Sequence, residues 1–121
     1  MSRVWASGWL VGTVLGGLLL AGCPGSSGPA GCRAMMQSEN PHVRAKGCKL
    51  AGQSADTRNV VLLVDRLEDR DAAVRLMAGR ALMELTGENF GYRAHDPPEV
   101  RAEAVARWRA YANGSPDGGR R

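Results

Sequence analysis

Three cysteines, two histidines and a crowd of carboxylates are the side chains of this 121-residue chain that could do chemistry. His42 and His95 each stand where a helical stretch begins, and the positive end of a helix disfavours an imidazolium there. Neither has a serine or cysteine at the spacing of a nucleophile and its base, so no catalytic residue is expected. Asp65, Glu68, Asp69 and Asp71 bracket one turn. Their spacing is not that of a calcium loop, and solvated helix caps are the expected use. No CxxC or HxxxH spacing accompanies the cysteines, so no metal site is expected. Phe90 and Tyr92 lie in a glycine-flanked loop, and Arg44, Arg75 and Arg101 recur along the chain. Exposed, the two aromatics would anchor a partner and the arginines would recognise acidic groups. Folded back, the same five residues would cover the core and pair within the chain. They are the candidate partner-binding set.

The third cysteine has a different setting. Arg3 is followed by an uncharged, Gly-rich apolar run that ends in Leu20-Ala21-Gly22-Cys23. The run is on the short side for a membrane span, which needs about 20 apolar residues. Residues 1–22 therefore read as a leader outside the fold. The four residues ending at Cys23 resemble the lipobox of bacterial lipoprotein signal peptides at every position. The resemblance implies cleavage between Gly22 and Cys23 and lipidation of the Cys23 thiol. Small residues before the cut bond suit a narrow peptidase site. Two or three acyl chains, at about 0.8 kcal/mol per buried methylene, make a stable anchor. Residues 23–31 are rich in Gly, Ser and Pro, without periodicity, and read as a flexible tether. Pro24 follows the lipidated position, where Asp commonly retains Gram-negative lipoproteins in the inner membrane. Its presence favours the outer membrane, facing the periplasm.

That compartment is oxidising, so the remaining pair, Cys32 and Cys48, invites a disulfide. Helices over 32–38 and 41–53, turning near Asn40, would place the two thiols at similar distances from the turn. Closing such a loop is worth about 3 kcal/mol in the chain-entropy model.

The elements that position all these residues are helices. In residues 71–85, Val74, Met77, Ala78, Ala81, Leu82 and Leu85 fall on one face, and Arg75, Arg80 and Glu84 on the other. Asp71 is placed as N-cap and Gly87 as C-cap. The same pattern occurs earlier: Asn40-Pro41-His42-Val43-Arg44 aligns with Asp71-Ala72-Ala73-Val74-Arg75. Asp96 to Arg101 is a third version with one extra residue, in which Glu99 would form a capping box with Asp96. Between the first two, residues 56–68 carry an apolar stripe of Val60, Leu63, Val64 and Leu67 behind a capping Asp56. The core Asn59–Val64 could be a buried strand, but its period continues to Leu67 and its neighbours are helical. Residues 87–95 replace the next expected helix by a loop. A last helix over 98–112 would bury Val100, Ala104, Trp108 and Tyr111, with Trp108 closing the open end. This packing requires Val43, Val74 and Val100 to face inward.

A period of about 30 residues with two helices per unit marks a helical repeat array. Asp71, Val74-Arg75, Ala78-Gly79 and Ala81-Leu82 resemble the first helix of a HEAT repeat, closest to the short variety also found in phycobilin lyases. The resemblance covers residues 39–85, with 96–111 as a degenerate terminal unit. It implies that the Val, Ala and Leu positions build the inter-helix core. It also implies that the turn Asp and the following Arg pair or cap helix ends: Asp71 with Arg75, and Arg44 and Arg101 at matching places. Asn40 departs from the family's Asp.

The expected fold is therefore all-α: a short HEAT-like α-solenoid of about five helices over residues 32–112, with a frayed tail over 113–121. Charge is ordinary, with 16 basic against 12 acidic side chains and no concentrated basic stripe, which argues against a nucleic-acid partner. The function expected is non-enzymatic: a lipid-anchored module of the bacterial envelope that binds an unidentified protein, with no cofactor beyond the lipid on Cys23. An accessory or chaperone-like subunit of an envelope enzyme is the second reading. A lyase or tetrapyrrole-binding protein, implied only by the lyase likeness, is the third.

Overall fold

A computed structural model describes residues 29–114. Gly22, Cys23, the leader, the tether as far as residue 28 and the tail from residue 115 lie outside the described residues. Five α-helices follow in order: α1 (Pro29–Met36), α2 (Pro41–Gln53), α3 (Val60–Arg66), α4 (Ala72–Thr86) and α5 (Pro98–Ala112). No strand occurs among the described residues.

The local signals explain most of the boundaries. Asn40 Oδ1 accepts from the His42 amide at 2.9 Å, and Pro41 opens α2 where its missing N–H costs nothing. Asp71 Oδ1 accepts from the Ala73 and Val74 amides, and Gly87 ends α4 in the left-handed region at φ 75°.

Three boundaries differ from the expectation. Helix α1 starts at Pro29, so residues 29–31 belong to the fold and not to the tether. Residues 56–68 are not one helix: Asp56 caps a 3-10 turn, Thr57–Asn59, and α3 begins only at Val60. Asn59 is the reason. It is wholly buried, accepts from Arg33 Nε at 2.9 Å and donates to Ser54 Oγ at 3.0 Å, tying the junction to α1. The Asp96–Glu99 capping box does not form; Pro97 precedes α5 with no side-chain cap.

Helices α2 and α4 lie side by side. α1, α3 and α5 form a row behind them, with α1 against α2 and α3, and α5 against α3. The closeness at α2 comes from missing side chains. A Cβ on Gly47 would stand 2.7 Å from the Met36 nitrogen of α1, and one on Gly52 would stand 2.8 Å from Ala81 Cα of α4. The core joins the two rows through Met36, Leu63, Leu67, Val74, Leu82, Val105 and Trp108.

Val74 is fully buried and Val43 is half-buried, but Val100 is 49 % exposed. The inward residues of α5 are Ala104, Val105 and Trp108, with Tyr111 only half-buried. The terminal helix thus does not repeat the packing of α4. With a loop in place of the expected preceding helix, α5 turns its Ala104–Val105–Trp108 face to α3 and leaves Val100 in water.

Candidate functional site

Arg44, Arg75 and Arg101 each occupy the fourth position of a helix. Each folds Nη1 back onto carbonyls of the incoming loop. Arg44 donates to Ser38 and Glu39, Arg75 to Asp69 and Arg70, and Arg101 to Asp96. The other arm reaches onward in two cases. Arg44 grips Asp69 with two bonds of 2.8 and 2.9 Å, and Arg75 Nε donates to the Ala94 carbonyl at 3.0 Å. The third, Arg101 Nε, is buried with no partner. The ion pair therefore links Arg44 with Asp69, and not Asp71 with Arg75. Asp71 is already spent on the amides of its own helix.

The Arg44 and Asp69 side chains are only 6 % and 4 % exposed. Burial alone would raise the Asp69 carboxyl. Bonds from the Arg44 guanidinium and the Asp71 amide, with the charge of Arg66, hold it below the usual carboxylate range.

The aromatic loop also turns inward. Phe90 packs edge-on against Trp108 with ring centroids 4.7 Å apart, and also touches Tyr111. Trp108 Nε1 donates to the Asn89 carbonyl at 3.2 Å. Tyr92 is buried, and its hydroxyl donates to the Leu67 carbonyl, one of the acceptors left over at the end of α3. Burial pushes this phenol up to about 12, so it remains a donor at neutral pH. The Tyr92 ring is admitted by Gly79, where a Cβ would stand 2.9 Å from Cδ1. Arg44, Tyr92 and, more partially, Phe90, Arg75 and Arg101 thus serve the fold. A five-residue recognition surface is not what their placement creates, because a buried group already hydrogen-bonded inside has nothing to offer a partner. Replacing Tyr92 by Phe strands the Leu67 carbonyl. We expect a loss of about 1–3 kcal/mol. Thermal melting by circular dichroism should fall by at least about 4 °C.

Cys32 and Cys48 both lie in the core, and no disulfide joins them. Cys32 Sγ accepts instead from Asn59 Nδ2 at 3.8 Å. Burial pushes the Cys48 thiol up to about 12, which leaves it protonated and unreactive. His42 and His95 are exposed. Of the acidic cluster, Asp69 is buried against Arg44, Glu68 pairs with Arg109 at 2.7 Å and Asp71 caps α4. Among the described residues no three His, Cys, Asp or Glu side chains converge as a metal site. No helix among them is long and apolar enough to cross a membrane.

Among the described residues a groove of about 470 Å³ lies open between α4 and the loop of residues 87–97. Leu76 and Met83, seven residues apart on α4, form its apolar floor and are 54 % and 48 % exposed. Gly79 lies between them and the Tyr92 ring closes the inner wall. Arg80, Arg93 and His95 stand around it, and among the described residues no carboxylate lines it. Arg80 shares an exposed 3.3 Å pair with Glu84 on the same helix. Arg93 makes no side-chain bond among the described residues, where nine of the eleven arginines do. Periodicity does not mark Leu76 and Met83 as a surface. The signal was two apolar residues on the face of α4 that also carries Arg80.

Compared with known proteins, the chain matches no family model, no curated protein and no solved structure.

Proposed function

We propose that the chain is a lipid-anchored interaction module of the bacterial cell envelope, held at the outer membrane and facing the periplasm. Its helices would act as a short HEAT-like α-solenoid that presents one surface to another protein. The reading rests above all on the groove along α4. It is an apolar strip left in water on a domain that spends Arg44, Arg75 and Tyr92 on bonds within the fold. The leader ending in Leu20-Ala21-Gly22-Cys23 and the Gly/Ser/Pro tether supply the address. Helical arrays bind through surface complementarity and need no catalytic group. The two rows of helices, with α2 and α4 adjacent and α1 and α3 behind, suit that architecture.

Two measurements test this. Cys23→Ala should shift the protein from the membrane fraction to the soluble or uncleaved form. The intact mass of the membrane-bound wild type should show loss of residues 1–22 and added acyl chains. An unmodified, uncleaved mass would refute the anchor. A photo-crosslinking residue at Met83 should give one discrete adduct that is lost on Leu76→Glu. No adduct, or one that ignores Leu76→Glu, would refute the groove as the contact surface.

A further inference from the structure

We propose that the groove between α4 and the 87–97 loop receives an amphipathic helix of another protein whose apolar stripe is flanked by Asp or Glu. The proposal rests on the interaction reading above and adds the chemistry of the partner. The shape comes from what the chain lacks. The loop occupies the position where the repeat pattern calls for a helix, and its residues Asn89, Tyr92, Arg93, Ala94 and His95 line the groove against α4. Leu76 and Met83 are separated by two helical turns, about 10.5 Å along the axis. A helix laid along them would meet both with residues at i and i+7, the usual spacing of anchors in a helix-binding groove. Between them the Tyr92 ring covers Gly79 and forms the inner wall against which the partner would rest.

The charge comes from the rim. Arg93 is exposed and spends its guanidinium on nothing among the described residues. Arg80 stands on the opposite side with a 69 % exposed side chain, its single pair to Glu84 long at 3.3 Å. With no carboxylate in the lining, a helix flanked by lysines would set like charges together at close range, whereas Asp or Glu would meet both guanidinium groups. The outer face of α5, with Glu99, Val100 and Glu103 exposed, offers similar chemistry on the chain itself. A second copy is therefore the competing occupant. It would join two different faces of successive copies, a heterologous contact.

The test uses the full chain in detergent and two fluorescent synthetic helices of about five turns. Both carry the same leucine stripe; one is flanked by Glu, the other by Lys. Fluorescence anisotropy should show the Glu peptide binding at least about 10-fold tighter, with the preference shrinking at high salt. Arg93→Glu, at an exposed position without internal bonds, should reverse the order, and Met83→Asp should weaken both peptides. Equal binding of the two peptides would overturn the acidic assignment while leaving the groove as an interaction surface. Binding of neither would overturn the proposal, and the Met83 crosslink would then decide whether the interaction reading falls with it. Sedimentation showing self-association that Glu103→Lys abolishes would overturn it in favour of a second copy.

Discussion

Asp69→Ala should cost about 3–5 kcal/mol, because it leaves a buried cation without its counter-charge. A small domain has about 5–15 kcal/mol in total, so the variant is expected to be largely unfolded or close to it at 37 °C. Asp69 does three things at once. It accepts both bonds from Arg44, it accepts from the Asp71 amide at 3.0 Å, and it draws in Arg66 at 3.4 Å. Alanine removes all of them at the turn that sets the start of α4. Asp69→Asn keeps acceptors for the amide and one guanidinium arm and should fall between alanine and wild type. Replacing Arg44 and Asp69 together by Met and Leu removes both charges but strands the Ser38 and Glu39 carbonyls and the Asp71 amide, so it should recover only part of the loss. Urea melts of the four proteins decide the matter; equal midpoints for wild type and Asp69→Ala would show that the pair holds nothing.

The pH dependence of the same pair has a definite sign. The folded-state carboxyl of Asp69 is held below its unfolded value, near 3.9. Its stabilisation is complete above that value and is lost as pH falls through the folded one. The difference between wild type and Asp69→Ala should therefore be full at pH 7 and shrink below about pH 4. A difference that persists unchanged into acid would mean that charge is not its origin.

Trp108→Ala is the other large effect, expected at about 3–5 kcal/mol. Trp108 is the largest fully buried side chain, 1 % exposed. It packs edge-on with Phe90 and with Tyr111 at a centroid distance of 5.6 Å, and donates to the Asn89 carbonyl. Removing it empties the core between α5 and α3 and releases the loop that forms one wall of the groove. Trp108→Phe keeps most of the volume and loses the N–H, so it should cost about 1–2 kcal/mol. Hydrogen exchange gives the discriminating readout. In Trp108→Phe the Asn89–Tyr92 segment should lose protection ahead of α2 and α4. If the whole domain exchanges uniformly faster, the indole bond does not hold the loop in particular.

The aromatic loop shows where pattern reading stops. Phe90 and Tyr92 in sequence are two large side chains among glycines, equally suited to an exposed anchor or an inward fold. What turned them inward lies elsewhere in the chain. Gly79 leaves room for the Tyr92 ring, the Leu67 carbonyl needs a donor, and Trp108 offers a ring edge. None of the three belongs to the loop it governs, and Leu67 and Trp108 lie more than ten residues from it. The arginines divide in the same way. Their placement at the fourth helical position, and the local bonds back to loop carbonyls, follow from spacing alone. That Arg44 reaches Asp69 and not an acid of its own unit depends on how closely α2 and α4 approach, which Gly52 permits.

The chain by itself determined its helical character, the caps at Asn40, Asp71 and Gly87, and the extent of α2, α4 and α5. These depend on neighbours within one or two turns, and near-neighbour chemistry is written directly in the order of residues. Only the tertiary structure decided that Asn59 would break the helix before α3, that α5 would bury Val105 and expose Val100, and that Leu76 and Met83 would be left in water. Each of those outcomes depends on which surface arrives from a distant part of the chain, and periodicity records that a face is apolar without saying whether anything comes to cover it.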